Sequence, residues 1–171
     1  MDKTWCDVFT IDSILSSAAA LVKRHGIKGL IIDPYNKIHA SFNGQSETQY
    51  INEFLTKLTI FKQKYDIHIF LVAHPRKMSK KDNGLYEVPT LYDIAGSANF
   101  YNQVDNGITV YRNFETNFIH VYVQKVKFRH IGEIGEAIFN YNLQNGRYYE
   151  QAEQPNNNPY IKQFQQQNLE L

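Results

Sequence analysis

The stretch Gly29-Leu-Ile-Ile-Asp33 decides the fold class of this chain. It is apolar throughout and ends in a carboxylate, which is typical of a strand that is buried on both faces of a parallel sheet. A second run, Ile67-His-Ile-Phe-Leu-Val-Ala73, has the same character and is followed by His74. A helical pattern precedes each run, at about 13–25 and again at about 46–65. Alternating helices and buried strands predict an α/β fold built from parallel crossovers.

Helix-end signals support these boundaries. Asp12 is expected to cap the first helix, and Gly26 is expected to end it. Ser46 and Gln49 form a capping-box pattern at the start of the second helix. Pro34 prevents the first strand from continuing easily. Each predicted element therefore has its own start or stop signal.

The pattern changes after the second strand. Residues 75–90 are polar and basic, and such a long loop in a compact domain is typical of a functional segment. A short helix follows, and then three alternating strands that are expected to pair antiparallel. These elements lie at about 97–103, 107–112, 118–128 and 136–142. Residues 151–171 are rich in Asn and Gln and are expected to be a disordered tail, so the predicted folded domain covers residues 1–150.

Composition limits the class of partner. The net charge of the 171 residues is +1, so any contact with a polyanion must come from a local cluster of cations. The single cysteine, Cys6, excludes a disulfide framework and fits a reducing compartment. The first residues show no secretory signal pattern, and no segment approaches the length of a membrane span. We therefore expect a soluble, cytoplasmic chain without a membrane partner.

Asp33 and His74 occupy equivalent places, because each follows the carboxyl end of a predicted parallel strand. Open α/β sheets bind their ligands at this edge. A carboxylate there can hold the water shell of a magnesium ion beside a triphosphate, and a polar ring nitrogen can sense the terminal phosphate. Two plainer interpretations stay open, in which Asp33 caps the turn at 34–36 and His74 is structural.

The predicted loop carries four cations within six residues, namely Arg76, Lys77, Lys80 and Lys81. Such a cluster can bind a phosphodiester backbone through charge and counterion release, without sequence preference. The alternative is a solvated surface loop. The position of the cation cluster directly after His74 favours the functional interpretation.

One face of the strand near 118–128 is expected to change from apolar to cationic, because alternate residues of a strand share a face. Three cations that project together suit a phosphate group, including one bound to a neighbouring subunit. A solvent-exposed strand end is the alternative interpretation. The predicted face consists of Ile119, Val121, Val123, Lys125, Lys127 and Arg129.

Four segments resemble motifs of the RecA-like motor domain of the replicative helicases, specifically of the phage primase-helicase and mitochondrial Twinkle branch. The bacterial DnaB helicases are a more distant match. The resemblance covers about residues 10–148, and the motifs stand in the order and spacing of the family. They resemble, in turn, the Walker B strand, the strand that ends in the phosphate sensor, a Gly-Ser-Ala block with a later Gln and Asp, and the last motif of the family. The segments are LIIDPYN (30–36), LVAHPRK (71–77), DIAGSANFYNQVDNGITVYRN (93–113) and VQKVKFRHIGEIG (123–135).

The resemblance implies a role for each matched position. Asp33 would be the magnesium-side carboxylate, and His74 would sense the terminal phosphate. Lys125 and Lys127 would reach the nucleotide of a neighbouring subunit. The remaining positions are Arg76, Lys77 and Lys80 in the loop that tracks single-stranded DNA, and Arg112 and Tyr141 beside the nucleotide base.

Two features depart from the family pattern. The trans-acting arginine of the family falls at position 127, where this chain has Lys, a point charge without the bidentate fork of arginine. Arg129 is a candidate replacement near the nucleotide. The chain also contains no segment of the form G-x-x-x-x-G-K-[ST], whose backbone amides and lysine cradle phosphates. The resemblance therefore implies a RecA-like sheet without its N-terminal phosphate-loop strand, as in a fragment or one part of a split gene.

We therefore predict the C-terminal portion of an ATP-dependent replicative DNA helicase from a bacterium or phage. Its fold would be a mostly parallel twisted sheet flanked by helices, with antiparallel strands toward the C-terminus. Mg²⁺ and ATP would be the cofactors of the full-length protein, and single-stranded DNA and a homo-oligomeric, hexameric ring its partners. This chain alone is expected to bind neither cofactor and to be inactive. The alternatives are a non-catalytic RecA-like module for subunit association or DNA contact, and an unrelated α/β enzyme that uses Asp33 and His74.

Overall fold

The structure is a computed structural model that describes residues 9–38, 44–80, 84–94 and 98–151. The chain divides into two compact units. The first unit comprises Met1–His74 and Ile94–Gln103, and the second comprises Pro75–Asp93 and Val104–Leu171. Cys6 and the predicted tail from residue 152 onward lie outside the described residues.

Helices and a parallel strand pair form the described part of the first unit. Its elements are α1 (Ile11–His25), β1 (Gly29–Ile32), a 3₁₀ turn (Tyr35–Lys37), α2 (Glu47–Tyr65), β2 (His68–Leu71) and α3 (Ala98–Gln103). β1 and β2 pair in parallel, from Gly29 opposite His68 to Ile32 opposite Leu71. Because α2 lies between these two strands in the sequence, the predicted parallel crossover is confirmed.

The first helix begins earlier than predicted. Thr10 is its N-cap, since the Thr10 hydroxyl accepts a hydrogen bond from the Ser13 amide at 3.2 Å. The prediction for Asp12 is wrong, because Asp12 lies inside the first turn, where its carboxylate pairs with Lys57 Nζ at 2.8 Å. Gly26 ends the helix as predicted, in the left-handed conformation with φ of 65°.

The second helix begins at the predicted capping box. The Ser46 hydroxyl accepts a hydrogen bond from the Gln49 amide, and the Gln49 side chain accepts one from the Ser46 amide. One face of α2 then forms most of the buried core of the first unit. This core contains Ile11, Ile32, Tyr50, Ile51, Phe54, Leu55, Leu58 and Phe100.

Tyr35 packs into this core just beyond the end of β1. Its ring lies edge-on to the rings of Phe54 and Phe100, at centroid distances of 5.1 and 5.2 Å. Burial of the phenol, with smaller contributions from Tyr50 and Glu47, raises the pKa of Tyr35 to about 12. The turn that follows Asp33 is therefore anchored in the core by an aromatic ring.

An antiparallel sheet forms the described part of the second unit, with the strand order β3-β4-β5-β6. The strands are β3 (Asn106–Arg112), β4 (Phe118–Val126), β5 (Gly135–Asn142) and β6 (Arg147–Glu150), with 3₁₀ turns at Leu91–Asp93 and Arg129–Ile131. Short connections join successive strands, which is why they run antiparallel. The predicted antiparallel pairing of the first three is confirmed.

β6 is an element that the sequence pattern did not predict. All four of its residues are exposed, so it lacks the alternation that identifies a half-buried strand. The dipeptide Asn145-Gly146 before it is a strong hairpin signal, because Gly adopts the positive φ that such turns require. Gly146 does so, with φ of 68°.

The predicted α/β class is confirmed, with parallel strands first and antiparallel strands toward the C-terminus. The described residues form a two-stranded parallel sheet and a four-stranded antiparallel sheet. Parallel pairing requires a long crossover, which the chain has between β1 and β2 and does not have between the later strands. No helix among the described residues is long and apolar enough to cross a membrane.

A β-bulge in β4 contradicts the predicted face of that strand. Gly107 pairs with Lys125, whereas Ile108 pairs with Val123, so the register slips by one residue. Neighbouring residues of β3 face opposite sides of the sheet, and Lys125 therefore lies on the face opposite Val123. Arg129 lies in a 3₁₀ turn beyond the end of β4. The prediction that the apolar and cationic residues share one face is wrong.

Candidate nucleotide edge and basic loop

Asp33 and His74 follow the carboxyl ends of β1 and β2, which end side by side. The Val72 amide donates to the Ile32 carbonyl at 2.9 Å, and the Tyr35 amide donates to the Val72 carbonyl at 2.7 Å. These bonds extend the pairing of the two segments past the last strand residues. Both Asp33 and His74 are exposed. The structure thus brings them to the same edge of the parallel pair, as the two apolar runs predicted.

The Asp33 carboxylate is not used by the turn that follows it. The 3₁₀ turn Tyr35–Lys37 begins after Pro34, and no side chain caps it. The interpretation of Asp33 as the cap of this turn is therefore not supported. An exposed carboxylate at the ligand-binding edge of a parallel pair is suited to holding a hydrated cation.

Asn36 joins the two strand ends and was not among the predicted site residues. Its Oδ1 atom accepts a hydrogen bond from the His74 amide at 3.0 Å. The backbone at the predicted phosphate sensor is thus held by the turn after β1. The segment LIIDPYN, quoted above for its resemblance to a Walker B strand, contains this residue three positions after Asp33.

The loop over residues 75–93, called the basic loop below, is closed at its ends by Arg76 and Asp93. The Arg76 amide donates to the Asp93 carbonyl at 2.6 Å, and Arg76 Nη2 lies 2.9 Å from Asp93 Oδ1. The carboxylate side chain is 10% exposed and the arginine side chain 73% exposed. Arg76, predicted to contact DNA, therefore also closes the loop.

The Asp93 carboxylate is bonded to Thr90 as well as to Arg76. Its Oδ2 accepts hydrogen bonds from the amide and the hydroxyl of Thr90, both at 2.8 Å. Burial alone would raise the pKa of Asp93, but the hydrogen bonds from Thr90 and the pairing with Arg76 outweigh it, and the pKa lies below its ordinary value. The carboxylate is thus stabilised in its charged form by its partners within the loop.

Gln124 of β4 holds the same end of the loop from the sheet. The buried Gln124 side chain accepts a hydrogen bond from the Leu91 amide at 3.1 Å and donates one to the Pro89 carbonyl at 2.8 Å. Gly107 of β3 leaves room for this approach, because a Cβ at that position would overlap the Leu91 side chain. Neither residue was predicted as part of the site.

Lys77 and Lys80 of the basic loop are exposed. Lys77 belongs to neither a helix nor a strand, whereas Lys80 forms an antiparallel bridge with Tyr86. The Lys80 Nζ atom lies 5.1 Å from the centroid of the Tyr86 ring. Lys81 lies outside the described residues.

Lys125 and Lys127 lie close to one carboxylate. Lys127 Nζ pairs with Asp105 Oδ1 at 2.7 Å, and the Lys127 amide donates to the Asp105 carbonyl at 2.9 Å. Burial lowers the pKa of Lys125, and the charge of Lys127 lowers it further, while Asp105 opposes both. The two lysines predicted to act together are therefore neighbours, and Arg129 is exposed in the following turn.

Arg112 and Tyr141 lie on one face of the four-stranded sheet. Arg112 pairs with Ile119, which pairs with Phe139, and Tyr141 is two residues further along the same strand. Two strand spacings and a two-residue offset along β5 separate them, about 12 Å in all. The residues packed against them were not predicted. The Arg112 guanidinium lies 5.4 Å from the Phe114 ring centroid, and the Tyr148 ring 5.0 Å from that of Tyr141.

The residues present fit one part of a magnesium–nucleotide site. Among the described residues, no group of three or more His, Cys, Asp or Glu side chains could hold a metal ion. Mg²⁺ usually keeps several waters and takes one or two carboxylates together with substrate phosphates, which a single exposed Asp33 satisfies. The sequence has no phosphate loop. The chain therefore offers the carboxylate side of such a site and not the phosphate cradle.

The chain is similar to known proteins in sequence and in fold. No protein-family model matches the chain. Over 145 residues, 81% of the chain, its sequence is 42% identical to the Twinkle homolog protein, chloroplastic/mitochondrial, of Arabidopsis thaliana. The chain spans 20% of that protein. The localisation in that name belongs to the relative, and the predicted bacterial or phage origin of this chain stays a prediction.

Two solved structures share the fold. An ATPase domain matches with a TM-score of 0.65 and 16% identity, over 83% of this chain and 51% of the other. A DnaB-like replicative helicase, solved in a study of its interactions with primase, matches with a TM-score of 0.64 and 18% identity, over 81% of this chain and 35% of the other. The chain therefore shares the RecA-like fold of these helicase ATPase domains, and its sequence is similar to one part of the Twinkle homologue.

Proposed function

We propose that this chain forms the C-terminal portion of the motor domain of an ATP-dependent replicative DNA helicase. The observation that carries the proposal is the parallel pair β1–β2, whose adjacent ends bring Asp33 and His74 to one edge. The similarity to the Twinkle homologue and the fold shared with DnaB-like helicases support the same class of protein. In such a motor, ATP hydrolysis is coupled to movement along single-stranded DNA.

In this proposal, the strand ends perform the nucleotide chemistry. Asp33 orients the water shell of Mg²⁺, which in turn neutralises charge on the phosphates. His74 hydrogen-bonds the terminal phosphate and lies two residues before Arg76, where the basic loop begins. When the phosphate is lost, the change at His74 is thus transmitted through the backbone directly to the loop that contacts DNA.

Neighbouring subunits complete the proposed site. In a hexameric ring, Lys125 and Lys127 reach the nucleotide of the next subunit, with Asp105 holding the Lys127 ammonium in place. Arg112 and Tyr141 enclose the base from one sheet face. Arg129, outside the strand, is the second cation available to the same phosphates.

The test is a chimera in which the matched stretch of the Arabidopsis Twinkle homologue is replaced by this chain. Magnesium-dependent ATPase activity of the chimera is expected, with the parent protein as the positive control. Asp33→Asn should lower its kcat by about 10- to 100-fold, because Asp33 orients the waters around the metal ion. Asp66→Asn, which changes an exposed carboxylate at the end of α2, is the matched control and should leave the rate unchanged.

The isolated chain is expected to show no ATPase activity at any DNA concentration, because its sequence has no phosphate loop. Turnover by the isolated chain that Asp33→Ala abolishes would contradict this assignment of the site. An active chimera that is insensitive to Asp33→Asn would contradict the role of Asp33.

A second candidate function is a non-catalytic RecA-like module that associates with other subunits. The exposed apolar side chains of β3 favour it, since Ile108 is 57% exposed and Val110 68% exposed. Exposed apolar patches on a sheet usually mark an interaction surface. This candidate predicts self-association of the chain, measured by sedimentation, together with an inactive chimera. An active chimera favours the motor instead.

A further inference from the structure

The Lys80–Tyr86 pair places a cation beside an exposed aromatic ring in the basic loop. The two residues face each other in an antiparallel bridge, and the Lys80 ammonium lies 5.1 Å from the ring centroid. The Glu87 amide also donates to the Ser79 carbonyl at 3.2 Å, so the two arms of the loop are joined at adjacent positions. The pair is therefore held together by backbone pairing as well as by attraction between cation and ring.

The sheet fixes the position of Tyr86 from behind. The Tyr111 hydroxyl, on β3, donates a hydrogen bond to the Tyr86 carbonyl at 3.0 Å. The Tyr86 side chain is nevertheless 44% exposed. A ring with a fixed backbone and an open surface is prepared for a flat partner, because little conformational freedom is lost when the partner binds.

Proteins that bind single strands without sequence preference combine these two features. Cations follow the phosphates, and aromatic rings stack on successive bases, since every base has a flat π-face. The basic loop supplies Lys77 and Lys80 as exposed cations, whereas the Arg76 guanidinium is paired with Asp93. Glu87 is the nearest acid in sequence, but neighbouring residues of an extended segment project to opposite sides, which separates its charge from the Tyr86 ring.

We propose that Tyr86 stacks on a base of single-stranded nucleic acid while Lys80 neutralises an adjacent phosphate. The proposal rests on the DNA contact assigned above to the basic loop, and it adds base stacking to a contact that was assigned from charge alone. It predicts that the loop binds a strand with bases more tightly than a strand without them.

The test compares two labelled strands, an oligothymidylate and a strand of equal length made of abasic nucleotides, in binding to the whole chain at low salt. Wild-type protein should prefer the oligothymidylate by about five- to a hundredfold, the range expected for one stacked base. Tyr86→Leu should remove this preference and leave the affinity for the abasic strand unchanged. Tyr86→Phe keeps the ring and should behave like the wild type.

Two further variants separate stacking from charge. Lys80→Gln should weaken binding to both strands. It should also reduce the logarithmic salt slope of binding by about 0.7, the contribution of one phosphate contact. Tyr86→Leu should leave the slope unchanged. Tyr149→Leu removes a ring of similar exposure from β6 and is the matched control. Its affinity for each of the two strands should equal that of the wild type.

Three results would overturn the proposal. If Tyr86→Leu weakens binding to both strands equally, the ring only stabilises the loop by packing within it. An unchanged preference in that variant would assign the stacking to another ring. Failure of the wild-type chain to bind either strand would overturn the proposed DNA contact of the basic loop, and the stacking with it. The other two results would overturn the stacking alone.

Discussion

Arg76 and Asp93 are joined twice, once through the backbone at 2.6 Å and once through their side chains at 2.9 Å. This double link closes the basic loop at the point where it leaves the strand end that carries His74. Thr90 and Gln124 add further hydrogen bonds at the second end of the loop. The proposed DNA contact thus projects from a base that is fixed by hydrogen bonds and an ion pair.

The first prediction concerns the carboxylate of this base. Asp93→Asn should lower the free energy of unfolding by about 1–3 kcal/mol, because an amide cannot accept all the hydrogen bonds from Thr90 and Arg76 that the carboxylate accepts. Denaturant unfolding measures the loss, and amide hydrogen exchange over residues 76–93 should localise it. Asp12→Asn removes an exposed ion pair and is the control, expected to cost less than about 1 kcal/mol. Equal losses in both variants would contradict the assigned role of Asp93.

The stabilisation by Asp93 should depend on pH. The folded-state pKa of Asp93 is below its ordinary value of 3.8, so its contribution is complete above about pH 4 and is lost as the pH falls through the lower folded value. The difference in unfolding free energy between the wild type and Asp93→Asn should therefore shrink in acid. Comparing the two proteins at each pH cancels the titration of the other carboxylates. A difference that stays constant with pH would show that the charge of Asp93 is not what stabilises the loop.

A third prediction tests the link between the sheet and the loop. Gln124→Leu should cost about 1–3 kcal/mol, because it leaves the buried Leu91 amide without its partner and removes a donor from the Pro89 carbonyl. Gln45→Leu, which loses an exposed bond to Glu53, is the matched control. Faster hydrogen exchange at Leu91 in the first variant alone is the expected result.

The local parts of this fold could be predicted from sequence, because their signals lie within a few residues. The run at Gly29–Ile32, the left-handed Gly26 and the capping box at Ser46 all appear where the pattern placed them. Gln124 could not be predicted in the same way, since its partners are 33 and 35 residues away and an amide in a strand has no distinctive pattern. The edge shared by Asp33 and His74 was predictable because parallel strands place their carboxyl ends together.

The bulge in β4 shows where sequence periodicity fails. Period-two alternation assumes an unbroken register, and one extra residue reverses the faces of every residue beyond it. Nothing in the run from Val123 to Lys127 marks the slip, which is visible only from pairing with β3. Both lysines remain candidates for phosphate contact, but Lys125 lies on the face opposite Val123 and Lys127 lies just beyond the end of β4.

A fourth prediction concerns the core beside the nucleotide edge. The pKa of Tyr35 is raised from 10.0 to about 12, mainly by burial, so the unfolded chain loses this proton before the folded chain does. The corresponding stabilisation is complete below pH 10 and is lost as the pH rises from 10 through about 12. Tyr35→Phe should remove this part of the alkaline destabilisation, measured by denaturant unfolding across that range. Tyr148→Phe, which changes an exposed ring, should retain the wild-type profile.

The last prediction separates the cations of the basic loop by their partners. Lys77 and Lys80 are exposed, so replacing both by Gln should reduce the logarithmic salt slope of single-strand binding by about 1.4, from roughly 0.7 per phosphate contact. Arg76→Gln should reduce the slope by less, because the guanidinium is already paired with Asp93, and it should instead lower the stability of the loop. Lys23→Gln and Lys62→Gln, made together in the last turns of α1 and α2, preserve the same change of net charge away from the loop. Fluorescence anisotropy with a labelled oligothymidylate over a series of salt concentrations measures each slope. A slope that falls equally for the loop lysines and for the helix lysines would mean that only the overall charge is sensed, and the basic loop would lose its assignment as the DNA contact.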